Sequence, residues 1–494
     1  MKKLPLFAST LFVFAGLLAQ STKAQVTDPR ELAIYQIMTA SFQHGEGGAP
    51  GYTAMWGPDD NTKNGNLRGI INALDYIKSL GVNAIWMTPI FDSEGLPEEK
   101  LQATGYFATD FFKIDPKFGT EEEFRELVDK AHSKGIAVIL DGVFGHHGGV
   151  KNPSPQGNTI YAEWTLSDRG EQGGTGNVKY PESLPYFKEV ATYWIDKYGI
   201  DGWRLDQAYQ ATQGGHNYWN EIRAAVDSVS QARRDRGETW GTLGYMVGED
   251  WGNADVINRG VYRDGGLLSA FDFDGKERIS GPMHNIKSAG LENGYDDIIL
   301  TLSSPTARGY LNDEVMPNLF LTNHDGSRLA DHFDESDPLY YEQMMLRNAI
   351  LAAYSGPITL YYGDEFADTS KYTHGGQPDN VARTSGHLDA RNEGEQRLKD
   401  YIAGAMEFRG VNPAMWRGEA QFEKVTTDGG EVLVVTKTDE PSGNKVRIVF
   451  SLTDTTLPLG SNTPVSVING ELNNGNNLTV SAMVPVFVLD TPAK

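Results

Sequence analysis

The chain has 494 residues, 39% of them hydrophobic and 11% aromatic, which is length and apolar content enough for one large domain with a small accessory domain and an ample core. A net charge of −23 excludes nucleic acid and anionic membrane as partners, since both are polyanions, whereas a neutral substrate is indifferent to it. With no cysteine there is no disulfide, and the sequence has no glycine-rich phosphate loop, long basic run or low-complexity tract.

The first 24 residues read as a secretory signal. Lys2 and Lys3 form its positive region, Leu4 to Ala19 its apolar stretch, and Thr22-Lys23-Ala24 a small-residue cleavage site before Gln25. The stretch is short for a spanning helix, and no lipid-attachment cysteine follows it. The mature protein is therefore expected to be soluble and unanchored, in the periplasm or outside the cell. Ala33 to Ala40 reads as a first strand, Leu67 to Leu80 as a helix with Leu67, Ile70, Ile71, Leu74 and Ile77 on one face, and Val82 to Thr88 as a second strand. Glu121 to Ser133 has the pattern of a charged amphipathic helix, and Ile136 to Asp141 that of a third strand. From His147 to Pro185 the pattern breaks into Gly, Asn, Pro and Ser; a stretch of that length without its own structure is normally functional.

Four segments then carry the chemistry. ILDGVFGHH (Asp141, His146), GIDGWRLD (Arg204, Asp206), YMVGED (Glu249) and LFLTNHD (His324, Asp325) each end an apolar, strand-like run on a polar residue. A carboxylate at the tip of a buried strand costs stability unless it does chemistry. In a (β/α)8 barrel that tip is the rim where the active site is assembled from several strands. A barrel of roughly 250 residues allots about 30 to each βα unit, so Asp206 and Glu249 suit adjacent strands and Asp325 one two strands further on. Loop anchoring accounts for any one of these residues but not for the ordered set. Two carboxyl groups can cleave a glycosidic bond with retention, one attacking the anomeric carbon while the other protonates the leaving oxygen, and a third anion can stabilise the cationic transition state. Arg204 and Asp206, two apart on a strand, face the same side, so the guanidinium would keep Asp206 ionised. Glu249 follows Met246-Val247-Gly248 and precedes Trp251, an apolar setting that would hold a proton on it. Trp203 and Trp251 themselves read as core packing.

The ordered set resembles the α-amylase family, glycoside hydrolase family 13, whose segments look like D-x-V-x-N-H, G-x-R-x-D, an apolar run ending in Glu, and N-H-D. IYQIMTASFQHG, LGVNAIWMTPIF, GYFATDFFKIDPKFGT and PITLYYGDEF are similar too, so the likeness runs from about Leu32 to Phe366. It implies a TIM barrel over 25–147 and 186–412, a short inserted domain at 148–185 after strand three, and a C-terminal antiparallel β-sandwich over 413–494. The alternating runs EVLVVTKT, KVRIVFSL, PVSVIN and LTVSAMVPVFVL agree with that last domain. The resemblance implies that Asp206 is the nucleophile, Glu249 the acid/base and Asp325 the transition-state stabiliser. It further implies that Arg204, His146 and His324 hold the sugar at the cleavage subsite and that Tyr106 stacks under its ring. The expected substrate is an α-1,4-linked glucan or malto-oligosaccharide, with transglycosylation on the same carboxylates, or sugar binding on a scaffold without activity, as the alternatives.

The chain also departs from the family. Gly145 stands where the family has an Asn that commonly helps to bind a structural Ca2+, and Gln207-Ala208-Tyr209-Gln210 replaces the usual Lys-His pair after the nucleophile. Leaving-group contacts must then differ, with Tyr209 a candidate to stack, and linkage preference is left open. No cofactor is expected for the chemistry, and the usual Ca2+ is expected to be weak or absent. A second acidic group, Asp59-Asp60-Asn61 with Asn64, reads as a solvated turn.

Overall fold

The computed structural model describes residues 25–53, 64–93, 104–150, 152–162, 176–283, 288–370, 382–460, 463–473 and 476–494. Residues 1–24, read above as a signal, and the Asp59-Asp60-Asn61 group lie outside them.

Eight parallel strands form the central sheet: β1 (Ala33–Ile37), β2 (Ala84–Met87), β3 (Ala137–Gly142), β4 (Gly202–Leu205), β5 (Tyr245–Gly248), β6 (Ser269–Ala270), β7 (Leu319–Phe320) and β8 (Ile358–Tyr361). Each pairs with its sequence neighbour, β1 pairs with β8, and a parallel bridge between Phe271 and Asn318 joins β6 to β7. The sheet therefore closes on itself as a TIM barrel. Strands one and two are shorter than their apolar runs, because residues past the rim turn away into the loops.

Alternation fills the barrel. Ile34, Ala84, Trp86, Ala137, Ile139, Tyr245, Val247, Phe271 and Phe320 form one apolar cluster inside it, with Leu32 and Val26 in the same cluster. Polar residues inside are paired: the Tyr245 hydroxyl meets Ser269 at 3.0 Å, Asn318 donates to that hydroxyl, and Thr359 donates to Asn318. The outer faces of the strands pack on amphipathic helices. The helix Leu67–Ser79 begins where Asn66 accepts the Gly69 N–H, and Glu121–Ser133 begins with a Thr120/Glu123 capping box. The insertion after β3 pairs His146–His147 with Gly176–Asn177 in an antiparallel ladder; residues 163–175 between them lie outside the description.

The C-terminal strands are β9 (Glu419–Thr427), β10 (Gly430–Asp439), β11 (Asn444–Ser451), β12 (Thr455–Pro458), β13 (Ser466–Ile468), β14 (Glu471–Leu472), β15 (Asn477–Val480) and β16 (Val486–Thr491). They make an antiparallel sheet in the order β9-β10-β11-β16-β13 and a smaller one in the order β12-β15-β14. Val432, Val434, Val449 and Val488 pack against Leu457, Leu478 and Val480 between the sheets. The other face of the larger sheet, including Leu433, Ile448 and Phe487, joins the main core, where Phe487 meets Phe408 of the helix Glu393–Val411 at 5.5 Å. The central strands β10 and β11 of that sheet are buried on both sides, which explains near-continuous apolar runs such as VLVV. Among the described residues, no helix is long and apolar enough to cross a membrane.

Candidate active site

The C-terminal ends of the strands converge on one guanidinium. Arg204 in β4 is fully buried and sits opposite Asp141 of β3 in the sheet register. Its Nη1 donates to Asp141 Oδ1 and Oδ2 at 3.0 and 3.1 Å and to Asp206 Oδ1 at 2.8 Å. Its Nη2 lies 2.7 Å from Glu249 Oε1, but the contact is off the N–H axis and is an ion pair without a formed hydrogen bond. The guanidinium carbon lies 5.0 Å from the Trp86 ring centre and 5.8 Å from that of Tyr106, so cation–π attraction adds to the ion pairs.

Strand alternation explains the convergence. Arg204 and Asp206 share a face, and β4 pairs directly with β5, whose next residue is Glu249. Glu249 Oε2 accepts the Gln207 N–H at 3.1 Å. Asp141 accepts two further bonds, from Trp86 Nε1 at 3.0 Å and the Tyr106 hydroxyl at 2.8 Å. The same hydroxyl meets His324 Nε2 at 2.8 Å, and His324 Nδ1 meets the Gln36 amide at 2.9 Å. Asp325 lies beyond β7, 3.2 Å from His324 Nε2, and accepts from Arg383 at 2.7 Å, while Arg383 Nε also donates to the His324 carbonyl. His146, on the loop after β3, places Nε2 3.6 Å from Asp206 Oδ2. All seven residues singled out in the sequence (Tyr106, His146, Arg204, Asp206, Glu249, His324 and Asp325) thus belong to one contact network at one end of the barrel.

Burial sets the charge states. It pushes both Asp206 and Glu249 up to about 7, against the pull of Arg204. Of the two, only Asp206 receives an aligned hydrogen bond from the guanidinium, a contact that favours its ionised form. Asp141 is raised by burial to about 6, with Arg204, Tyr106 and Trp86 opposing. Burial also raises Asp325, but His324, Arg383 and Arg204 outweigh it and hold the carboxyl below its ordinary value. Burial depresses His146 to about 4 and His324 to about 3, so both rings are neutral at pH 7. The arrangement provides a proton donor, an ionisable nucleophile and a further anion around one space.

Sequence and structure comparisons agree on what carries such a set. Residues 36–164 and 176–399 match the family described as "Alpha amylase, catalytic domain". The chain belongs to the α-amylase family. It is a glycosidase of that type. It is 27% identical to the maltogenic α-amylase of Bacillus acidopullulyticus, over 91% of this chain and 75% of that one. It is 30% identical to a cyclomaltodextrinase of Bacillus sp., over 68% of this chain and 59% of that one, so it spans less than two thirds of the latter's length. Among solved structures it resembles AmyP in complex with maltose, with 35% identity and a TM-score of 0.77 over 94% of this chain and 97% of that one.

Against that family, several residues stand out. Trp203 lies in the core, fully buried, but Trp251 does not: it is 41% exposed at the rim, its ring 5.1 Å from that of Phe273. The expectation of a core position fails because Trp251, three residues past the end of β5, is already on the loop. Tyr209 is also exposed, its hydroxyl on Gln207 Oε1. The Ca2+ that the family implies near position 145 does not fit the residues present. Gly145 offers no side-chain oxygen, and the Gln210 carboxamide fills the space where one would stand. Among the described residues no group of three or more His, Cys, Asp or Glu is arranged to hold a metal.

Gln36, Trp86 and Arg383 complete the network without having been assigned a part in it, and Asp141, marked in the sequence as a strand-end carboxylate, gains its part as the partner of Arg204, Trp86 and Tyr106. Gln36 was detectable as a polar residue inside an apolar run; Arg383, on a loop beyond β8 with no strand pattern around it, carried no such mark. Removing this cation has a defined consequence. In Arg383→Met the Asp325 carboxyl loses its 2.7 Å partner, and its pKa is expected to rise by about one unit or more. A 13C titration of the Asp325 carboxyl in the two proteins measures this directly.

Proposed function

We propose that the protein is a retaining hydrolase of α-1,4-glucosidic bonds in starch-like glucans or malto-oligosaccharides, working by double displacement. The observation that carries this reading is the single buried guanidinium that holds Asp206 through an aligned hydrogen bond and Glu249 through an off-axis contact. That difference supports an ionised Asp206 and a protonated Glu249 at neutral pH. In the first step Asp206 attacks the anomeric carbon while Glu249 gives its proton to the leaving oxygen; in the second, Glu249 takes a proton from water, which displaces Asp206 and restores the α configuration. Asp325, held ionised by Arg383, offers negative charge to the oxocarbenium-like transition state. Neutral His146 and His324 hold sugar hydroxyls beside Arg204, and Tyr106 borders the same subsite. The substrate class is supported by the names of relatives, maltogenic α-amylase and cyclomaltodextrinase, and by AmyP structures holding maltose and maltotriose. No cofactor takes part. The leader-like residues 1–24 support export to the periplasm or beyond.

Incubation with soluble starch, pullulan, a cyclodextrin and maltotriose, with products sized and their anomers followed by 1H NMR, tests this reading. The α-anomer is expected as first product; a β-anomer would mean inversion. The nucleophile has its own test. Asp206→Asn is isosteric but cannot form the glycosyl-enzyme, so turnover should fall more than about a hundredfold, a loss above about 2.7 kcal/mol of barrier stabilisation, while maltotriose still binds. Turnover above about a hundredth of wild type would remove Asp206 from the role.

A further inference from the structure

The two departures from the family pattern, Gly145 and Gln210, meet in space. A Cβ on Gly145 would stand 2.0 Å from Gln210 Oε1 and 2.3 Å from Gln210 Cβ, so any side chain at 145 would exclude the glutamine from its seat. From that seat the carboxamide reaches in two directions. Its Oε1 lies 3.1 Å from His146 Nδ1, and its Nε2 donates at 3.1 Å to Gln207 Oε1, which also accepts the Tyr209 hydroxyl at 2.8 Å. The Gln210 carbonyl accepts Gln213 Nε2 at 2.7 Å, fixing the glutamine from behind. Gln207 stands in the left-handed region, with φ 40°, a conformation that a non-glycine residue keeps only when its surroundings impose it, and its N–H holds Glu249. One side chain thus connects the ring beside Asp206 to the turn that carries the Glu249 contact.

We propose that Gln210 is a positioning residue for the glycosidase reaction: its carboxamide, seated over Gly145, fixes the His146 ring against Asp206 and ties the loop after β3 to the turn after β4 without a metal. The kinetic part of this proposal rests on the reading of His146 as a sugar ligand; the contact itself does not.

Two variants and one spectroscopic readout test it. Gln210→Met conserves length and removes both polar atoms, whereas Gly145→Ala removes no polar group but displaces the amide. The His146 ring nitrogens are followed by 15N NMR, assigned by their loss in His146→Gln, beside kcat/KM on maltotriose. Both variants should move the His146 Nδ1 resonance and lower kcat/KM about tenfold or more, as a small misplacement of a substrate-facing group does. The melting temperature of Gln210→Met should stay within a few degrees of wild type, and that of wild type should not respond to EDTA or added Ca2+. Unchanged ring resonances in either folded variant would overturn the contact, and a Ca2+-dependent melting temperature would overturn the metal-free tie. Shifted resonances with unchanged kcat/KM would overturn the kinetic role of Gln210, whereas an unchanged kcat/KM in His146→Gln would overturn the place of His146 at the sugar.

Discussion

Arg204 is the constraint on which the site depends. One guanidinium, wholly removed from water, faces Asp141, Asp206 and Glu249, and its own desolvation cost is offset only because those carboxyls surround it. Deleting either side of such a cluster leaves buried charge uncompensated, a loss of about 3–5 kcal/mol for a single pair. The reverse also holds. Three carboxyls around one cation exceed its charge, so burial keeps a proton among them near neutrality, and the off-axis contact of Glu249 makes it the natural holder. On the proposed mechanism, stability and acid catalysis are set by the same arrangement.

The barrel supplies this arrangement at little conformational cost. Asp141, Arg204, Asp206 and Glu249 come from three consecutive strands in direct register, so the rigid sheet fixes their spacing. His146, Tyr106, Asp325 and Arg383 come from loops, and each is held by a partner: Gln210, Asp141 and His324, Arg383, and the His324 carbonyl. The sheet forms the charge cluster, and the loops surround it. That division lets loop residues such as Gln207, Tyr209 and Gln210 depart from the family pattern while the strand-borne cluster is kept.

The sequence made the strand-borne part legible and the loop-borne part less so, for a physical reason. Asp206 and Glu249 betrayed themselves as charges at the tips of apolar strands, where burial without chemistry would be costly. Asp325 also ended an apolar run, but both histidines drew their roles only from an ordered motif, and Arg383 had no mark at all, because a loop carries no periodicity against which a functional residue stands out. Trp251 was misplaced for the same reason: hydrophobicity predicts burial within a strand but not three residues beyond it. Gly145 and Gln210 were legible as two losses at one calcium site but not as partners of each other, since 65 residues of chain separate positions that are in contact in the fold.

On the proposed mechanism Asp206, and not Glu249, attacks the sugar. Trapping the covalent intermediate addresses this most directly: the protein is treated with a fluorinated glucosyl fluoride that forms the glycosyl-enzyme but hydrolyses slowly, then digested and its peptides weighed. The account predicts a single glycosyl adduct on the peptide carrying Gly202-Trp203-Arg204-Leu205-Asp206, with fragmentation placing it on Asp206. An adduct on Glu249 or Asp325, or full turnover of a good substrate with no adduct under trapping conditions, would contradict it.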